Sequence, residues 1–373
     1  MREPFRDWES REPESGRVNG QRDPLAGKIP VTLVTGFLGS GKTTMISKLV
    51  RRPEMRRVAV VINEIGEIGI DHDLVTMSSE NITLLANGCI CCSVRTDLQE
   101  TLRDLFARRR AGEIADFDRV VVETTGLADP APVVQTLVSD SLLAAQYRLD
   151  GVVTLVDALL GMSQIARQPE AVKQLALADR IFITKSDMAT PEDIAALAAA
   201  IAAINRGAKV STIVHGEVEP GALMNLGLAS ARASQATLTF LGETLAPASH
   251  AAVDAAGGPA GRYLGTRAAA HDPLIKTLSL RFDKPFTWAS LSAALELLAT
   301  LRGPDLLRIK GIVNVEEKPV VVQGVQHIFY PPVALDRWPS ADTGTRLVFI
   351  TRNIEADLIR NLLKAVGEVA GPA

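Results

Sequence analysis

Only three of the 373 residues are cysteine, and all three fall inside four positions: Cys89, Cys91 and Cys92. Residues that close cannot staple distant elements, so a disulfide framework is excluded, and in a reducing compartment such a cluster suits a metal or redox site. No charge of one sign dominates. The 40 basic and 43 acidic residues leave a net charge of −3, which argues against nucleic acid or an anionic membrane surface as the main partner. No apolar run approaches the roughly 20 residues that span a bilayer. The opening stretch, MREPFRDWESREPESGRVNGQRDPLAG, has no apolar segment of the kind a secretory signal needs. The expected location is the cytoplasm.

What is present is globular: 47% of residues are apolar and 22% charged, enough to build a core. Residues 1–27 carry mixed charge and scattered prolines and are expected to be a disordered tail. Strand-length apolar runs then recur: IPVTLVT from Ile29, VAVVIN (58–63), RVVVET (119–124), GVVTLVDA (151–158), RIFITK (180–185) and AKVSTIV (208–214). Helical stretches lie between them, among them Thr43–Arg52, Asp97–Arg110 and the alanine-rich segment after Thr190 and Pro191, where Thr190 suits an N-cap and Pro191 the first helical position. Continuous apolar strands alternating with helices predict an α/β domain over 28–228 with a mostly parallel sheet covered on both faces. Residues 229–272 dissolve into Ala, Ser, Gly and Pro and are expected to be a linker. A β-α-β-β-β-α pattern over 273–373, with KPVVVQGVQHIFY (318–330) as one strand, predicts a small α+β domain.

Gly36-Phe37-Leu38-Gly39-Ser40-Gly41-Lys42-Thr43 fits the phosphate loop G-x-x-x-x-G-K-[ST], with a strand before it and a helix after it. Gly36, Gly39, Ser40 and Gly41 would turn backbone N–H groups toward phosphate oxygens, and the helix N-terminus, which includes Thr44, adds its dipole. Lys42, expected on a solvent-facing loop, would supply a full charge, and Thr43 a ligand for Mg²⁺. Further on, RVVVETTGLADP ends a strand at Glu123 and turns at Gly126. A carboxylate there can hold the Mg²⁺ shell, and the glycine N–H can sense the γ-phosphate, as in other phosphate-loop enzymes. Thr184-Lys185-Ser186-Asp187 resembles the N-K-x-D guanine signature, with Thr184 in place of Asn. Its Asp187 would accept two hydrogen bonds that guanine offers and adenine does not.

Asn87-Gly88-Cys89-Ile90-Cys91-Cys92 follows a short strand at Thr83–Ala86. Beside a glycine turn, these thiols can offer two or three sulfurs to one tetrahedral ion, and thiolates suit Zn²⁺, Cu⁺ or Fe–S chemistry, with Co²⁺ able to take the same geometry. Taken together, GFLGSGKTT, NEIGEIGID, NGCICCSVR, ETTGLADP and TKSD resemble the CobW-type metallochaperones of the CobW/HypB/UreG group. The resemblance extends from Ile29 through HDPLIKTLSLRF and LLRIKGIV. It implies a GTPase using GTP and Mg²⁺, with Zn²⁺ or Co²⁺ as cargo for a client metalloprotein. It also implies that Cys89, Cys91 and Cys92 are the metal thiols and that Glu64 lies near both metals. Two features are missing: the linker holds only His250 and His271 where many members have a histidine-rich stretch, and the N-terminal tail lacks the cysteine of a docking motif that some zinc-delivering members carry. His72, beside Asp71 and Asp73, could serve as a fourth ligand, but a solvated turn is the expected role, and His215 and His327, with no ligand-spaced partner in sequence, are expected to be structural.

The expected function is therefore a GTP-hydrolysing metallochaperone whose residues 273–373 recognise the client. The other functions compatible with the same motifs are a metal-sensing nucleotide-binding regulator and a redox-regulated NTPase whose cysteines oxidise. Guanine nucleotides should bind at least tenfold tighter than adenine nucleotides, about 1.4 kcal/mol. Asp187→Asn should erase that gap and favour xanthine. Equal affinity of the unaltered protein for ATP and GTP, measured by calorimetry, would remove the guanine assignment.

Overall fold

The computed structural model describes residues 25–63, 75–79, 82–85, 90–93, 98–227 and 275–369. Nine strands form the first sheet: β1 (Ile29–Gly36), β2 (Val58–Asn63), β3 (Val75–Ser79), β4 (Ile82–Leu85), β5 (Ile90–Ser93), β6 (Arg119–Thr124), β7 (Tyr147–Asp157), β8 (Arg180–Thr184) and β9 (Lys209–Thr212). Their order is β3-β4-β5-β2-β6-β1-β7-β8-β9. From β5 to β9 every neighbouring pair is parallel, and β3 and β4 add antiparallel strands at one edge. This is the mostly parallel sheet that the apolar runs predict. β6 is buried along its whole length, as expected of a strand covered on both faces.

The covering helices are α1 (Lys42–Leu49), α2 (Leu98–Ala111), α3 (Ala131–Ser139), α4 (Ser141–Gln146), α5 (Gly161–Arg167), α6 (Pro169–Leu177) and α7 (Pro191–Ile204). Leu102, Leu105, Val134 and Leu143 pack with Val120 and Val122 on one face. Met45, Ile46 and Leu49 pack with Val60, Val121 and Val153 on the other. Alternate residues of β6 thus go to opposite faces, the period of two that a strand requires. The start of α7 is as the sequence predicts, with the Thr190 side chain accepting from the Asp193 N–H and Pro191 opening the helix.

The second sheet is antiparallel: β10 (Ile275–Phe282), β11 (Leu306–Val315), β12 (Lys318–Val325), β13 (Ile328–Phe329), β14 (Val333–Ala334) and β15 (Thr345–Arg352). Its order is β10-β15-β11-β12-β13, with β14 against β12. The predicted single strand over 318–330 is broken at Gln326, whose φ of 54° lies in the left-handed region that ends a strand. Helices α8 (Trp288–Arg302) and α9 (Ala356–Val369) cover one face through Leu291, Leu295, Leu298, Ile359 and Leu363. A capping box at Thr287 and Ser290 starts α8.

The other face of this sheet lies against the first unit. A register shift between Leu306 and Arg308 is a bulge, which re-aims side chains along a strand. Leu306 and Ile309 enter the helix-covered core, whereas Leu307 packs with Ala176, Ala178 and Ile204. Arg308 and Lys310 then meet Asp179, which follows α6. Asp179 Oδ1 accepts from Arg308 Nη2 at 2.6 Å and from Lys310 Nζ at 3.1 Å, and Oδ2 accepts from the Val152 N–H at 2.9 Å. The Asp179 and Arg308 side chains are 7% and 6% exposed. Burial would raise the Asp179 carboxyl, but the Arg308 and Lys310 charges and the Val152 N–H together hold it below its ordinary value of 3.8.

A depressed carboxylate contributes stability that is complete above its unfolded-state pKa and is lost as pH falls through the lower folded value. Asp179→Asn strands two buried cations and is expected to cost about 3–5 kcal/mol at pH 7. It should also make the denaturant midpoint fall less steeply below about pH 4. Parallel pH profiles of the two proteins would show that this cluster does not govern acid sensitivity.

Candidate functional site: the carboxyl edge of the parallel sheet

The phosphate-loop motif closes between β1 and α1. Gly36, Gly39 and Gly41 have φ of 146°, 75° and 90°, conformations that side-chain-bearing residues rarely adopt. At Gly36 a Cβ would also stand 2.7 Å from Ser40 Oγ. Lys42 differs from expectation. It is 5% exposed, with Nζ donating to the Gly36 carbonyl at 2.9 Å and to Phe37 O at 3.4 Å. The ammonium is folded back over the loop's own carbonyls, because a buried cation must find acceptors. Thr43 Oγ1 donates to Glu123 Oε1 at 2.9 Å, and Glu123 is fully buried near the end of β6. Thr44, next on α1, is exposed.

Ser40 Oγ is buried with no hydrogen-bond partner among the described residues. A donor left idle inside a loop with three left-handed glycines fits an anion site, since buried polar groups otherwise find partners. The Thr43–Glu123 pair fits Mg²⁺, whose ligands are hard oxygens.

Two strands along the edge from β1 lie the base-motif residues. Thr184, where the guanine signature has Asn, is buried. Its hydroxyl lies 2.9 Å from the Ser40 carbonyl and 3.3 Å from that of Val156, so β8 is tied directly to the phosphate loop. Lys185 adopts φ 55° and its Nζ bonds Asp157 Oδ2 at 2.6 Å. Asp157, at the end of β7, also caps the Leu159 and Leu160 N–H groups through Oδ1. Asp187 sits on the short helical turn Ser186–Met188, one third exposed, with His215 Nε2 at 3.9 Å. The following Gly216 packs under Thr44 and Met45 of α1.

The segment after Glu123 is also held from outside the motif. The buried Gln174 of α6 donates Nε2 to the carbonyls of Gly126 and Ala128, at 3.2 and 3.0 Å. Asp129 Oδ2 accepts from Lys173 Nζ at 3.2 Å and from Gln326 Nε2 at 3.3 Å, a direct contact with the second sheet.

Cys91 and Cys92 lie on β5, a short strand that the sequence does not predict. The tetrapeptide Ile90–Ser93 inserts between β2 and β4. Val61 of β2 is opposite both Cys92 and Val122, and Ile62 is opposite both Ser93 and Glu123. With strands about 4.8 Å apart, β5 runs about 10 Å across from β6. Cys89, Glu64 and His72 lie outside the described residues. Among the described residues no group of three His, Cys, Asp or Glu converges as a metal site, and no helix is long and apolar enough to cross a membrane.

Residues 30–212 match the CobW/HypB/UreG nucleotide-binding domain, and residues 275–367 match the cobalamin synthesis protein CobW C-terminal domain. The chain is 33% identical over 335 residues to the zinc chaperone YjiA of Escherichia coli, covering 89% of this chain and 96% of YjiA. The chain belongs to the CobW/HypB/UreG family. A zinc chaperone CobW from Pseudomonas aeruginosa is 32% identical over 381 residues, covering 90% of this chain and 91% of that relative. The crystal structure of the Zn(II)-bound YjiA GTPase from E. coli superposes with a TM-score of 0.69 at 30% identity, covering 91% of this chain and 99% of that one. Within this CobW/HypB/UreG chain the sequence motifs cover the loop, Glu123 and the base turn. They miss Asp157, which carries the same strand-end acid signal as Glu123, and Gln174, which has no local signal.

Thr184→Val keeps shape and removes the hydroxyl. The change is expected to cost about 1–3 kcal/mol of stability and to weaken GDP binding about fivefold or more, since the loop loses its tie to β8. A melting temperature and a GDP affinity both unchanged would show that the tie is idle.

Proposed function

We propose that this chain is a GTP-hydrolysing zinc chaperone that hands its ion to a client metalloprotein. The observation that carries the proposal is the sheet order β5-β2-β6-β1. It joins the strand with Cys91 and Cys92 to the strand with Glu123 through one intervening strand. Glu123 in turn bonds Thr43 of the phosphate loop. The names of the relatives, zinc chaperones and a Zn(II)-bound GTPase, support the same reading.

The loop N–H groups from Gly36 to Thr44, with Ser40 and Lys42, would bind the phosphates, Lys42 exchanging its carbonyl partners for phosphate oxygens. Lys185 and Asp187 would hold guanine. Thr43 and Glu123 would hold Mg²⁺, which when bound neutralises phosphate charge. Gly126 would face the γ-phosphate. In hydrolysis a water oxygen bonds to the γ-phosphorus while the bond from that phosphorus to the β–γ bridging oxygen breaks. GDP and inorganic phosphate leave, and the proton lost by water ends on phosphate or solvent. Zinc is cargo: Cys89, Cys91 and Cys92 would hold it as thiolates, with Glu64 beside them, and Co²⁺ suits the same donors. The second unit, residues 273–373, would recognise the client.

If GTP orders the segments between the phosphate loop and Glu123, it removes part of the cost of forming the thiolate site, and zinc must tighten GTP binding by the same factor. Zinc affinity, measured by competition with a chelator, should be tight with GTP or a non-hydrolysable analogue and about fivefold or more weaker with GDP. Identical zinc affinity in all nucleotide states would defeat hydrolysis-driven release. Failure of the reduced protein to bind zinc at all would leave the redox reading.

A further inference from the structure

Gln174 is the strongest feature that the nucleotide motifs leave unused. It lies on α6, 1% exposed, and comes from a different part of the chain from the loop, the base turn and the cysteines. Both bonds from its Nε2 go to one tripeptide, the carbonyls of Gly126 and Ala128. Its own backbone carbonyl accepts from Thr154 Oγ1 at 2.9 Å, which fixes α6 to β7. Among the described residues the tripeptide has few other holds: one backbone bond, Ala128 N to Thr125 O at 3.1 Å, closes the turn, and Leu127 is 56% exposed. On its opposite side Gly126 is pressed against the phosphate loop. A Cβ there would stand 2.6–2.9 Å from Leu38 Cδ2, N and Cα, so only glycine fits and any shift of the tripeptide is felt by the loop.

We infer that Gln174 is a positioning residue for GTP hydrolysis, setting Gly126 against the phosphate loop through the two carbonyls flanking Leu127. The inference rests on the GTPase reading and deepens it. The other end of the amide is informative. Gln174 Oε1 is buried and has no hydrogen-bond partner among the described residues. An idle buried acceptor is unfavourable, so a purely space-filling role would be better served by an apolar side chain. An acceptor already desolvated beside a weakly held tripeptide instead lowers the cost of a second arrangement, in which a peptide N–H of that tripeptide turns toward it. The amide therefore suits a segment with two positions, one for each nucleotide state.

The test uses the full chain with Gln174→Met, which keeps length and removes the amide, and Gln174→Glu, which keeps an acceptor and removes both donors. Each is compared with the unaltered protein for GTP turnover, GDP affinity and affinity for a non-hydrolysable GTP analogue. The expected result is a kcat lowered at least tenfold, GDP affinity within twofold, and a reduced preference for the analogue over GDP. Hydrogen exchange of residues 125–130 in the unaltered protein should slow with the analogue relative to GDP, a readout that survives if either variant fails to fold. Wild-type turnover in both variants, an equal loss of affinity for GDP and analogue, or exchange insensitive to nucleotide would each overturn the inference. No turnover by the unaltered protein would instead refute the GTPase reading itself.

Discussion

Parallel strands with buried middles can place chemistry only where they stop. β6 has no exposed residue along its length, and β1 beside it and β7 beyond β1 are buried through their carboxyl halves. Every polar side chain of the site therefore lies at the carboxyl edge or just beyond it: Ser40, Lys42 and Thr43 after β1, Glu123 near the end of β6, Asp157 at the end of β7, and Thr184 at the end of β8. The parallel register brings those ends level, with Val34 opposite Glu123 and Asp157 opposite Thr184. The side chains then bond each other across strands, Thr43 to Glu123, Thr184 to the Ser40 carbonyl and Lys185 to Asp157. A change in register at any one strand would break this chain of contacts.

Among the polar connections to the second unit, two differ in character, one beside the carboxyl edge and one at the amino end of β8. The Asp129–Gln326 bond is a single contact at the end of the segment that starts at Gly126. The Asp179 cluster is buried and ionic. The first can be made and broken at little cost, about the value of one hydrogen bond. The second cannot, because it would leave charges unpaired in a dry interface. Of these two polar contacts one is firm and the other yields, and they stand beside the apolar packing of Leu307 and Ile350 on Ala176, Ala178 and Ile204 and the Thr277–Ile204 bond.

Much of this was legible in the sequence because the signals are local. The phosphate loop, the strand ends at Glu123 and Thr184, and the capped start of α7 each depend on residues within a few positions of one another. The small parallel strand carrying Cys91 and Cys92 was not legible. Four residues following Gly88 give no periodicity to distinguish a strand from a turn, and their pairing comes from β2 and β4. Nor could sequence show that Lys42 is buried against its own loop, since that depends on how α1 packs. The partners that belong to no motif were the least visible: Asp179 and Arg308 are 129 positions apart, and Gln174 is 48 from Gly126. Nothing in either neighbourhood marks the residue as half of a pair.

The Asp179 cluster bears on how separable the two halves are. Viewed as a sheet with helices, the nucleotide unit has the form of an autonomous module. Its electrostatics say otherwise, because Asp179 is desolvated by an interface and neutralised by Arg308 and Lys310, which belong to the other unit. Without the second sheet, the carboxylate would keep the Val152 N–H but neither cation, and Ala176, Ala178 and Ile204 would lose their packing against Leu307 and Ile350. A gene fragment encoding the first unit alone would therefore differ from the intact protein in charge balance as well as in length. Recombining halves from different members of the family would succeed or fail on whether a carboxylate at this position meets cations on the incoming strand.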